Sequence, residues 1–165
     1  MLSAILSKAQ CANCGFCCVF RWQSRWETPL FSKDNAAEIS KKYKNAKFRP
    51  VGDMLTIDID GEYKTDSPDE EAACFFLDKT CGCTLSDEEK PIDCKIWPLR
   101  IMNKSGKIVI ALTPTCGEIN KVPLDTVREL VHSGLGQVIK NEAAKYPDMI
   151  KEYREGFTIL MEFND

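Results

Sequence analysis

Ile96-Trp97-Pro98-Leu99-Arg100-Ile101 and Lys107-Ile108-Val109-Ile110-Ala111-Leu112 are two apolar, β-type runs joined through Asn103-Lys104-Ser105-Gly106, a group of turn formers. This reads as an antiparallel hairpin within an α+β fold. With the turn centred on Lys104 and Ser105, the register places Cys94 beside Thr115 and Cys116 beside Asp93. Both thiols are then expected at the open end of the hairpin.

Working outward toward the N-terminus, Cys74-Phe-Phe-Leu-Asp-Lys-Thr-Cys81-Gly-Cys83 reads as a short reversal around Asp78 to Thr80 that gathers Cys74 and Cys83. Leu55, Ile57 and Ile59 alternate with Thr56 and Asp58, and Asp60-Gly61 precedes Glu62 to Thr65. That pattern predicts a hairpin with a tight Asp-Gly turn. Ser32 to Asp34 supply N-cap candidates for a helix through Ala36, Ala37, Ile39, Ser40 and Tyr43. The acidic stretch Asp66, Asp69, Glu70 and Glu71 around Pro68 lacks the regular spacing and glycine of a calcium loop, and reads as solvated.

Toward the C-terminus, Pro123 suits a first helical turn, Leu124, Val127, Leu130 and Val131 form an apolar stripe, and Gly134 is a candidate cap. A second stripe through Leu135, Val138, Ile139, Ala143 and Tyr146 stops at Pro147, with a shorter element expected from Met149 to Leu160. The expected organisation is one α+β domain over 1–165: short antiparallel hairpins and irregular loops in a cysteine-rich metal-binding region, 11–117, followed by a helical region, 122–163.

The chain has 165 residues, 28% of them charged, with a net charge of -3. Its basic residues form no block, which argues against nucleic acid as partner. The opening segment is too short and polar for a signal peptide, and no run approaches membrane-spanning length, so the expected location is cytoplasmic, where thiols stay reduced.

Nine cysteines dominate the chemistry. Cys11-Ala-Asn-Cys14-Gly-Phe-Cys17-Cys18 puts four in eight residues, and Cys74, Cys81, Cys83, Cys94 and Cys116 follow. Disulfides fit poorly: the number is odd, and neighbours Cys17 and Cys18 do not bridge easily and tend to point apart. Thiolates at two-residue spacing suit zinc, cuprous ions and iron-sulfur clusters. Cys11, Cys14 and Cys17 have the spacing with which three local thiolates grip a cluster while a remote cysteine supplies the fourth, which favours iron-sulfur slightly over structural zinc. The single histidine, His132, reads as a cap or surface residue toward the end of a helix.

Cys11-x2-Cys14-Gly-x-Cys17-Cys18, Cys74-x-Phe-Leu77, Cys83-Thr-Leu85, Lys90-Pro-x2-Cys94-Lys-x-Trp-Pro98 and Cys116-Gly117 together resemble the CxxCxxCC cysteine-cluster family. The resemblance spans Cys11 to Gly117 and implies a zinc- or iron-chelating domain. It implies Cys11, Cys14, Cys17, Cys18, Cys74, Cys83, Cys94 and Cys116 as ligands, leaves Cys81 outside the pattern, and puts Lys90 where the family often has arginine. The expected function is a metal-binding protein with one or two thiolate-ligated centres, and a protein partner is left open. The alternative is an iron-sulfur redox or radical enzyme whose substrate approaches Trp22 and Trp26. No residue pattern marks a methyl-donor site, and thioredoxin-like chemistry at Cys11 and Cys14 lacks a preceding βαβ pattern.

Overall fold

The computed structural model describes residues 2–65 and 67–163; Asp66, counted above in the acidic stretch, lies outside them. The chain is mixed α+β and divides into two compact units. One runs Lys8–Lys95; the other is built from Ile96 onward together with the N-terminal segment up to Ser7.

The Lys8–Lys95 unit begins with α1 (Lys8–Cys14) and β1 (Val19–Arg21), then β2 (Leu30–Phe31), α2 (Lys33–Lys42), β3 (Phe48–Val51) and β4 (Met54–Ile57). It continues with β5 (Glu71–Ala73), β6 (Leu77–Asp78) and β7 (Gly82–Cys83), and α3 (Ile92–Ile96) ends at the boundary between units. As the sequence predicts, α2 starts at Ser32, whose Oγ accepts the Asn35 amide at 3.2 Å, and it buries Ala36 and Ile39.

The Met54 hairpin forms on the other side from the one predicted. β4 pairs with the preceding β3, from Val51↔Met54 to Phe48↔Ile57, across Gly52 at φ 57. Asp60–Glu62 is a 3-10 turn instead of a hairpin turn. Pro50 disguises β3 as non-strand, and its missing N–H is tolerated because β3 is the edge of the order β2-β4-β3. Phe20, Phe31, Ile39, Ile57, Ile59, Phe76 and Leu85 form the core of this unit, with Cys74 among them.

In the other unit, β8 (Leu99–Lys104) and β9 (Lys107–Leu112) make the predicted hairpin. They are followed by α4 (Leu124–Leu130), a π-helical turn at Val131–Leu135, α5 (Gly136–Lys145), β10 (Lys151–Glu152) and β11 (Thr158–Phe163). The sheet order is β10-β8-β9-β11. The hairpin register differs from the expectation by two residues. Pairing runs from Lys104↔Lys107 to Leu99↔Leu112, because Ser105 and Gly106 both take positive φ and form the turn.

The C-terminal region is also not helical throughout. Beyond Pro147 the chain returns as β11, which adds to β9 with a bulge between Ile159 and Met161. Val127, Val131, Leu135, Ile139 and Ala143 are buried as the two stripes predict, whereas Leu124 and Val138 of the same stripes are exposed. His132 Nε2 lies 3.1 Å from the Leu160 carbonyl, tying the π-helical turn to the bulge. No helix among the described residues is long and apolar enough to cross a membrane.

Candidate metal centre

The thiols of the Lys8–Lys95 unit are positioned by short elements that follow directly from local sequence. β6 and β7 form the predicted reversal, with Leu77↔Cys83 and Asp78↔Gly82 opposed. Asp78 Oδ1 holds it by accepting the amides of Thr80 at 2.8 Å and Cys81 at 2.9 Å. Those bonds, with the Thr80 hydroxyl first among them, hold the Asp78 carboxyl well below the usual carboxylate range. Gly82 has φ 79, and a Cβ there would stand 3.0 Å from Ala12 Cα and Cβ; the missing side chain is what lets α1 lie directly on the hairpin.

β1 pairs with β5 from Val19↔Ala73 to Arg21↔Glu71, and the Cys74 amide extends this ladder by donating to the Cys18 carbonyl at 2.7 Å. The CxxCxxCC stretch is thereby fastened to the Cys74 segment. Cys17 and Cys18 do not point apart as expected: their sulfurs face each other at 3.9 Å. A 3-10 turn over Phe16–Cys18, entered through Gly15 at φ 60, replaces the extended geometry in which neighbouring side chains alternate.

Cys17, Cys74, Cys83 and Cys94 lie within electrostatic reach, so that an ionised thiolate at one would hinder ionisation of another. Burial pushes the Cys74 thiol up to about 12, the Phe76 amide partly offsets this by donating to its sulfur, and the charges of Cys83 and Cys17 raise it further. Cys83 is raised in the same way, by burial first; the Leu85 amide and the Lys90 charge work against it, while Cys17 and Glu89 add to it. Cys94 is pushed well up by the protein packed around its sulfur and then by Cys74, Asp93, Cys83 and Cys17. As a residue, Cys94 also keeps solvent contact.

In both Cys74 and Cys83 the amide two residues on points at the sulfur, an arrangement that favours the charged thiolate. In the unit that begins at Ile96, buried Cys116 has a similar partner, its Sγ accepting the Ile119 amide at 3.4 Å. The sequence reading overlooked these amides, although Cys74-x-Phe76 and Cys83-x-Leu85 share the same offset from sulfur to donor. It also overlooked Asp93, which is buried and accepts the Leu30 amide at 3.0 Å while adjoining Cys94.

The remaining expected ligands are placed differently. Cys11 and Cys14 are exposed on α1, and of the four N-terminal thiols it is the charge of Cys17 that acts on Cys74, Cys83 and Cys94. Cys94 sits in α3 and not on a hairpin strand, and strand pairing ends at Leu99 and Leu112, so the ladder reaches neither Cys94 nor Cys116. Exposed Cys81 is raised chiefly by its hydrogen bond to Asp78.

Among the described residues, no three His, Cys, Asp or Glu side chains are grouped as they stand so that they could hold a metal ion. By donor type alone, thiols are ligands suited to a soft metal. Carboxylates of the acidic stretch serve local structure: Glu70 accepts the Lys64 and Thr65 amides at 2.7 Å, and Asp69 accepts Gln23 Nε2 at 2.8 Å. Compared with known proteins, the chain matches no family description, no curated protein and no solved structure.

Proposed function

We propose that the Lys8–Lys95 unit is a metal-binding module in which Cys17, Cys74, Cys83 and Cys94 close around one soft metal, zinc or iron. What supports this reading is that these four cysteines, from four separate segments, lie within electrostatic reach, so that an ionised thiolate at one would hinder ionisation of another. Like charges gathered at a partly buried place are unfavourable unless a cation joins them. A metal supplies that cation, and the Phe76 and Leu85 amides supply part of the surrounding stabilisation. The likeness to the cysteine-cluster motif points the same way.

Four thiolates leave no open coordination position on zinc, which favours a structural, sensing or electron-transfer role over hydrolysis. The test is to purify the protein without oxygen and count zinc, iron and labile sulfide per chain, in the wild type and in Cys94→Ser. The expected result is metal in the wild type and a marked loss in the variant. Equal metal content in both would remove Cys94 from the ligand set, and matched iron and sulfide would identify the centre as a cluster.

A further inference from the structure

From the facing sulfurs of Cys17 and Cys18 we infer a chelating site for monosubstituted trivalent arsenicals, a ligand class that needs two neighbouring thiols. The pair lies 3.9 Å apart, sulfur to sulfur, and both residues are half-buried. Adjacent thiols held in this way can be joined directly or through one intervening atom. A direct disulfide would have to close the gap to about 2.05 Å, between Cα atoms that a trans peptide fixes about 3.8 Å apart; disulfides usually span at least ~4.4 Å between Cα atoms. A bridge of one atom enlarges the ring and demands much less closure, so the geometry favours chelation.

The chemistry also suits this place. An arsenoxide, RAsO, condenses with two thiols: the arsenic–oxygen bond is replaced by two arsenic–sulfur bonds, both thiol protons leave with the oxygen as one water, and arsenic stays trivalent. No oxidant or reductant is consumed. The product carries no charge, and it forms where a net charge would be costly to keep away from water. Zinc, by contrast, prefers four ligands and would take Cys17 with its remote partners, leaving Cys18 outside. The backbone keeps the pair in register, because the Cys18 carbonyl is held by the Cys74 amide at 2.7 Å.

The test treats the reduced, metal-free full chain with one equivalent of phenylarsine oxide, alkylates the remaining thiols and maps the protected cysteines by mass spectrometry. The expected result is one adduct, stable to excess monothiol and released by a dithiol, with Cys17 and Cys18 protected. Cys18→Ser should lose this adduct while retaining the metal content of the wild type. Cys94→Ser should do the reverse, so failure of the arsenical site and failure of the metal reading are told apart. Protection falling on Cys11 and Cys14 or on Cys81 and Cys83, or a stable adduct surviving in Cys18→Ser, would overturn the assignment.

Discussion

The two units are built from strands of different length. In Lys8–Lys95, strands are two to four residues long, and cysteines lie in or against the core. In the unit that begins at Ile96, the three principal strands have six residues each, and Leu99, Met102, Val109, Ile110 and Ala111 are completely removed from water. Long paired strands bring apolar side chains into one continuous layer, which gives this unit a large buried apolar core. Short strands bury less per element and gain more from cross-links between segments, a role that the proposed thiolate centre would fill.

The sharpest way to break this comparison is to remove the metal. If the proposed centre is present, a chelator should strip amide protection from Lys8–Lys95 in hydrogen exchange while β8, β9 and β11 stay protected. Structural zinc contributes on the order of 10 kcal/mol in small modules, so the contrast should be large. Uniform loss of protection, or none, would show that the two units do not differ in this respect.

Next in size is the pH response of the metal-free protein. The folded-state pKa of Cys74 lies above its unfolded value near 9, at about 12. Its contribution is therefore complete below about pH 9 and declines as pH rises toward 12, by at most ~4 kcal/mol. Denaturant titrations of the wild type should show falling stability across this window, and Cys74→Ala should flatten the slope. Met102→Ala tests the other unit: deleting this fully buried side chain should cost about 3 kcal/mol in chemical denaturation, with metal content unchanged.

Smaller effects sharpen the local picture. Gly82→Ala forces a Cβ against Ala12 and an unfavourable positive φ, and should cost about 1–3 kcal/mol while raising hydrogen exchange in α1. Ser32→Ala removes the cap of α2 and should cost about 1 kcal/mol, read as a small drop in the denaturation midpoint.

Much of the sheet hairpin was legible because Leu99 to Leu112 combines β-type residues with local turn chemistry, and both strands lie close in sequence. The same holds for α2 and for the reversal between Cys74 and Cys83. β11 was not legible, since Thr158 to Phe163 becomes a strand only by pairing with β9, a distant partner that no local pattern names. In the candidate centre, residue type and spacing pointed to the thiols, but not to which of them act on one another. That grouping depends on the Cys18 to Cys74 backbone bond, the β6–β7 turn and the placement of Cys94 on α3, all of which are tertiary.

The interrupted course of the second unit also orders events during synthesis. Leu2 and Leu6 belong with residues that follow Ile96, whereas every residue of the thiol-bearing unit has been made by Lys95. At a translation rate of about 5–20 residues per second, those two leucines wait at least several seconds for their unit's later strands. A nascent chain therefore has an interval in which Cys17, Cys74, Cys83 and Cys94 are all present while the apolar N-terminal segment still lacks its own unit, a window in which the proposed metal would have access to all four thiols.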